Sequence, residues 1–328
     1  RKAGDVHEKR GEFDKSLEVL ASSKMLFKED NTAEYGRMLV SEGYAHYRKG
    51  DNDAAMPLFS RAVNIFENTG ADQKDLGNAL RAVGNSHYCK GEHESALRYY
   101  EKSLAVMEGA NEQIGIADAL SNICTMYYMK GKLDMALEFQ KRSLEIEEKI
   151  GYKRGVALSL NNLGNVYIAM GELERALPFH ERSLEMFEKI GDKLGFIHSS
   201  SDLAGVNLEL KDVQKALDHA EKAVGIAAGI GAKSEEGMSR RVLGTVYREM
   251  DELARASEEL AKAKQIIEDI GEKMEMACLS YEYGLLHKAK GETAKAKECL
   301  EKALSEFDAM GTKLGVEKAR KALNELNT

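Results

Sequence analysis

The sequence predicts an all-α fold, a solenoid built from antiparallel helix pairs. Its 328 residues are rich in Ala, Leu, Glu and Lys, with only two prolines and no Trp, a composition that favours helix over strand. A small residue recurs at intervals of about forty residues along the whole chain, and two further positions in the same period are equally restricted. A chain of this length exceeds an ordinary single core, so two domains or a repeat array is expected, and the period selects the array.

The period is clearest in Lys90-Gly-Glu-His-Glu-Ser-Ala-Leu, Lys130-Gly-Lys-Leu-Asp-Met-Ala-Leu and Met170-Gly-Glu-Leu-Glu-Arg-Ala-Leu. The Ala position of these segments, five residues after the Gly, reads Ser16, Ala55, Ala96, Ala136, Ala176, Ala216, Ala256 and Ala296 along the chain, at successive spacings of 39, 41, 40, 40, 40, 40 and 40. Twelve residues earlier stand Gly4, Gly43, Gly84, Cys124, Gly164, Ala204, Gly244 and Gly284; seven later stand Ser23, Ala62, Ser103, Ser143, Ser183, Ala223, Ala263 and Ala303. Two antiparallel helices approach closely only where side chains are small, so these positions mark the contact seam of a hairpin repeated eight times.

The fifth repeat shows the unit best. Val156, Leu160, Leu163, Val166 and Tyr167 form a helical stripe over about 153–170 (helix A), and Gly171 punctuates the turn. Leu177, Leu184, Phe187 and Ile190 mark the buried face of helix B over about 173–190, with Gly191 as a left-handed cap. Pro178, and Pro57 at the same place in the second repeat, fall early in helix B, where the first turn tolerates the loss of a donor. The expected organisation is one solenoid over 1–328: a partial repeat 1–32, then 33–72, 73–112, 113–152, 153–192, 193–232, 233–272 and 273–312, closed by a capping helix at 313–328. In that last segment Val316, Ala319, Leu323 and Leu326 make one narrow apolar stripe among charged residues, as a terminal cap requires, and the C-terminal end reads as a domain boundary. Arg1 falls inside the expected first helix, which reads as a piece excised from a longer polypeptide, with a frayed first repeat as the alternative.

Helix A's Leu-Gly-Asn-x-Tyr and helix B's Ala-Leu followed by Ser/Ala-Leu resemble the tetratricopeptide repeat, across essentially the whole chain. The unit is about six residues longer than the common form and is similar to the long repeats of kinesin light chains, Pins-type adaptors and prokaryotic signalling proteins. The resemblance implies a right-handed superhelix whose A helices line a concave groove. Departures are Lys211 and Asp251 in place of the turn glycine, and Asn207 in place of the usual Tyr.

Composition narrows the function. The net charge of −8, from 55 acidic and 47 basic residues, gives no general attraction to nucleic acid or an anionic membrane. No apolar run approaches a membrane span, and no signal peptide opens the chain. Cys89, Cys124, Cys278 and Cys299 show no CxxC pairing, so a cytoplasmic protein with no metal and no cofactor is expected. GxxxxGK[ST], HExxH and GxSxG are all missing from the sequence, and no matched buried carboxylate pair suggests an acid and a base. Asp51-Asn-Asp53 lacks the Gly and Glu of a calcium loop and reads as a cap for helix B. His7, His46, His87 and His287 share one repeat position and read as polar aromatic wedges between helices.

The expectation is therefore a non-enzymatic scaffold that binds a peptide segment of a protein partner. The alternative is a regulatory sensor module of a larger kinase, cyclase or ATPase. Oligomeric state is not indicated. Carried over from the resemblance, the groove positions of helix A include Tyr47 in repeat two, Arg81, Asn85 and Tyr88 in repeat three, and Thr125 and Tyr128 in repeat four. Repeat five contributes Leu158, Asn161 and Asn165, and repeat seven Arg241, Thr245 and Arg248; Asn122 and Asn162 stand beside them. Asn can both donate to and accept from a peptide backbone whatever its side chains. Tyr supplies a large contact area at low entropic cost.

Overall fold

The computed structural model describes residues 17–20, 22, 32–48 and 51–326. Most of the expected first repeat, including Gly4, His7, Ser16 and Ser23, lies outside the described residues. Among the described residues the chain forms fifteen long helices and no strand. They fall into two compact units divided between Met126 and Tyr127, and each unit is taken separately. The first holds α1 (Ala33–Arg48), α2 (Asn52–Thr69), α3 (Gln73–Cys89), α4 (His93–Gly109) and most of α5 (Gln113–Met129). The second holds the end of α5, α6 (Leu133–Ile150), α7 (Lys153–Ala169), α8 (Leu173–Ile190), α9 (Lys193–Glu209), α10 (Val213–Ile230), α11 (Lys233–Glu249), α12 (Leu253–Ile270), α13 (Lys273–Ala289), α14 (Thr293–Ala309) and α15 (Lys313–Asn324). Odd-numbered helices are the A helices of the sequence pattern, and even-numbered ones the B helices.

Local chemistry sets the helix ends. Asp51 caps α2 by accepting from the Ala54 amide at 3.1 Å, the role expected for it, and Asp192 and Asp212 cap α9 and α10 in the same way. Gly191, at φ 76°, ends α8 in the left-handed conformation, so the Asp192 amide can reach back to the Phe187 carbonyl at 3.1 Å. Lys211 and Asp251 keep the left-handed geometry of the glycines they replace, at φ 65° and 61°. Pro57 and Pro178 sit at the sixth residue of α2 and α8, one turn deeper than the first-turn reading, so each helix forgoes one backbone hydrogen bond.

The small-residue seam is the core. Ala55, Ala96, Ala136, Ala176, Ala216, Ala256 and Ala296 are all fully buried. Each seam glycine of an A helix faces the residue four places after that alanine. A β-carbon on Gly43 would stand 2.5 Å from the Phe59 ring, one on Gly84 2.6 Å from Tyr100, and one on Gly284 2.6 Å from Leu300. Gly164 meets His180 in the same manner. Ser103 and Ser183, at the third restricted position, donate to the carbonyls of Gly77 and Ala157 at 2.8 Å each, so they are polar yet satisfied. Asn207, where Tyr was usual, is buried and donates to the Leu203 carbonyl of its own helix at 2.8 Å.

Within the second unit successive A helices approach each other (α7 with α9, α9 with α11, α11 with α13) more closely than successive B helices do. The A helices therefore lie on the inside of its curvature. At its end α15 buries Ala319 and Ala322 and exposes most of its charged side chains.

Two outcomes test this packing. Ala176→Leu should cost about 1–3 kcal/mol through overpacking, and hydrogen exchange should show the loosening in α7–α9 before α13–α15. Lys211→Gly should stabilise by roughly 0.5–1 kcal/mol, because relief of left-handed strain exceeds glycine's extra chain entropy. Asp251→Gly should gain less, since Asp tolerates this conformation better; denaturant midpoints would measure both.

Candidate functional site: the inner face of the A helices

The A-helix face is crossed by polar contacts from one A helix to the next. In the first unit Arg37 pairs with Asp75 at 2.7 Å, Lys74 with Glu112 at 3.0 Å, and Arg81 with Asp118 at 3.4 Å. In the second, Arg154 pairs with Asp192 at 2.7 Å, Arg241 with Glu275 at 2.8 Å, Arg248 with Glu282 at 3.4 Å, and Lys288 with Glu325 at 2.8 Å. Arg241 reaches both oxygens of Glu275, a fork that fixes the register of α11 on α13.

The expected site residues divide between the units. In the first unit the Tyr47 hydroxyl accepts from Cys89 Sγ at 3.4 Å, and burial holds this phenol above its ordinary range. Asn85 Oδ1 accepts from the Tyr100 hydroxyl at 2.9 Å, so it answers a ring inside the hairpin. Tyr88 stacks on His93 with centroids 5.9 Å apart, Thr125 donates to the Ser121 carbonyl of its own helix, and Asn122 is half-buried. Tyr128, half-buried, belongs to the second unit.

In that unit Asn161 and Asn165 converge on one carboxylate, donating to Asp202 Oδ2 from 2.6 and 3.3 Å. Asn161 Oδ1 lies 3.0 Å from Nδ1 of the fully buried His180. A neutral imidazole carrying its proton on Nδ1 satisfies that contact, and burial indeed lowers the His180 pKa, while the charge of Asp202 opposes the shift. Beside this group Gln140, also fully buried, donates to Ser159 at 2.7 Å and accepts from Asn162 at 3.2 Å. Asp202, His180, Gln140, Glu275 and Glu282 were not foreseen. The ion pairs did leave a trace in the sequence, since opposite charges recur 34 residues apart in Arg241–Glu275 and Arg248–Glu282.

Other chemistry is confined to packing. His87 stacks on Tyr99 and His287 on Tyr283, at centroid distances of 5.2 and 6.3 Å, while His46 meets Asp51 at 3.4 Å. His87 on α3 thus stacks across to α4 as a wedge, whereas His287 stacks within α13 and His46 faces the Asp51 cap of α2; His7 lies outside the described residues. Burial pushes the Cys124 thiol up to about 12 and Cys278 up to about 11, which removes their thiolate reactivity at neutral pH. Among the described residues no helix is long and apolar enough to cross a membrane.

Paired helices with a small-residue seam, stacked so that one helix of each pair forms an inner polar face, define a helical-repeat protein. The chain belongs to the tetratricopeptide repeat family, whose models match residues 34–109, 115–189 and 279–306. Among solved structures it is similar to a Rap protein complexed with competence and sporulation factor, at TM-score 0.67 and 13% identity over 99% of this chain and 96% of that one. It is also similar to the Rap conjugation gene regulator of plasmid pLS20 in complex with the Phr* peptide, at TM-score 0.71 and 15% identity over 84% and 74%. A third likeness is to the STAND-class signal-transduction ATPase PH0952 of Pyrococcus horikoshii, which has a tetratricopeptide repeat sensor. There the TM-score is 0.54 at 21% identity, over 84% of this chain and 44% of that one. No curated protein matches the chain in sequence.

Asn161→Ala should cost about 1–3 kcal/mol, because it strips partners from a buried imidazole and from Asp202; a denaturant titration of the single variant would show it. Stability should also fall as pH drops below ~6.5, where an unfolded histidine takes up a proton that buried His180 resists. His198 acts oppositely: partial desolvation works against its charge, but the ion pair with Glu235 at 3.8 Å and the nearby Asp202 and Glu275 raise its pKa. Its share is present below the unfolded pKa and lost as pH rises through the folded one. His180→Gln should flatten the acid limb of the stability profile, and His198→Gln should steepen it.

Proposed function

We propose that the chain is a non-catalytic binding module that takes a peptide segment of a protein partner on the inner face of its A helices. The observation that carries this reading is the inward placement of α7, α9, α11 and α13 in the second unit, where each presents half-exposed polar groups in register with the next. Exposed Leu158, half-exposed Asn165 and half-exposed Thr245 lie on that face and offer apolar contact, an amide and a hydroxyl. Such a mixture suits a peptide backbone with a few anchoring side chains better than a small-molecule reaction centre. The two Rap structures, each solved with a peptide or factor bound, support the reading by likeness of fold.

The internal partners of Asn161, Arg241 and Arg248 refine it. A ligand would meet these groups as a braced lattice and draw its affinity from the groups between the rungs. A second reading, a regulatory sensor within a larger signalling protein, draws on the likeness to the STAND ATPase. In it the same face binds, and an attached domain reads out occupancy.

Peptides selected from a displayed library against the full chain would provide the probe. Leu158→Arg and Thr245→Arg each place a bulky charge on the face, the second giving up only a half-buried hydrogen bond from Thr245 to the Arg241 carbonyl of its own helix. Each should weaken the selected peptides by roughly tenfold or more, about 1.4 kcal/mol, with thermal stability unchanged. Equal affinity in both variants would move the binding surface elsewhere. For the sensor reading, selected peptide should change the catalytic rate of the full gene product.

A further inference from the structure

The second unit touches itself. Gly131 lies in the turn between α5 and α6, at the start of the unit, and Lys313 is the first residue of α15, at its end. The β-carbon position of Gly131 lies 3.9 Å from Lys313 Cβ, 3.8 Å from Cγ and 3.2 Å from Cδ. Everything from α6 to α14 lies between them in sequence, so the array has curved far enough for its cap to meet its own first turn. Because the A helices are on the inside of that curvature, the contact closes a ring around their inner face.

The contact is lightly held. Among the described residues no hydrogen bond or ion pair joins 129–133 to 313–317, and the apolar cluster under α15 (Ala277, Ala303, Phe307, Met310 and Ala319) draws on α13 and α14 instead. The Lys313 ammonium turns back to Glu317 of its own helix, at 3.8 Å, and its side chain remains 63% exposed. Lys130 and Lys132 flank Gly131, and the Lys132 ammonium lies over the Tyr127 ring, 5.9 Å from its centroid. At Gly131 the contact is made by the methylene stem of Lys313, and glycine at this position, with φ 67° and no side chain, is what lets the stem approach. A junction with van der Waals contact and no hydrogen bond or ion pair between 129–133 and 313–317 opens at low cost.

We propose that the α5–α6 turn and the start of α15 form a releasable clasp, and that its opening gates lateral access to the inner face of the second unit. This builds on the inner face as the binding surface, but the geometry can be tested without any ligand, so the two ideas fail separately. In a chain whose four cysteines are replaced by Ala, Gly131→Cys with Lys313→Cys should oxidise to an intramolecular bridge, since the Cβ separation suits a disulfide. Gly131→Cys with Lys273→Cys, one period earlier on α13, should not. Because Cys at a left-handed position is strained, the unmodified chain provides an independent check: a short amine cross-linker should join Lys130 or Lys132 to Lys313. Leu158→Cys then reports on access, comparing the bridged chain with the same reporter lacking the bridge. Methyl methanethiosulfonate should label both alike, whereas a polyethylene-glycol maleimide of several kilodaltons should label the bridged chain at least about tenfold more slowly, because closure removes the open state. Absence of both bridge and cross-link would show that the ends do not meet. A bridge or cross-link accompanied by equal labelling with the bulky reagent would show that the contact is no gate.

Discussion

The rest of the structure depends on the close approach of each A helix, through a small seam residue that is most often glycine, to its B partner. Phe59, Tyr100, His180, Leu260 and Leu300 each lie against the glycine opposite, where a β-carbon would collide. In the α9–α10 hairpin the same two positions are Ala204 and Ala220, both fully buried, so small residues stand on both sides of the seam there. What recurs along the array is a small residue on the A helix, while the residue facing it varies with what the close-packed interior around it leaves to fill. That constraint sets the hairpin geometry, and the hairpin sets where the next A helix can stack.

The seam also explains why the centre of the second unit is polar. Its large position carries Gln140 on α6 and His180 on α8, both fully buried, and neither can sit there without a partner. The partners come from α7: Ser159 and Asn162 for Gln140, Asn161 for His180. Asn161 extends the chain of contacts to Asp202 on α9, which Asn165 also holds. The asparagines that looked like free hydrogen-bonding groups for a ligand therefore first answer a need created inside the fold. A face braced in this way is pre-organised, and binding to it pays little ordering entropy.

Much of the helix plan was legible because it is local. In the fifth repeat the helices expected at about 153–170 and 173–190 form as Lys153–Ala169 and Leu173–Ile190, since an apolar stripe, a cap and a turn glycine are all encoded within one repeat. The left-handed turns at Lys211 and Asp251 kept the register although glycine was lost, because flanking helices impose the turn. The prolines fall past the first turn although the helix start was placed correctly, so the misreading lay in the depth assigned to the sixth residue and not in the boundary.

The chain's periodicity by itself determined the fold: helix pairs, their seam and their stacking follow from residues that recur every forty positions, and each requirement is met within one repeat or between neighbours. Tertiary structure alone decided what the polar groups on the A helices do. Whether Arg241 projects toward a ligand or forks onto Glu275, and whether Asn161 is free or held by His180 and Asp202, depends on side chains one repeat away. The same holds for the meeting of Gly131 with Lys313, which sums small rotations over many repeats. Periodicity specifies each step of such a curve, but the place where its ends meet depends on the accumulated angle, and no single repeat contains it.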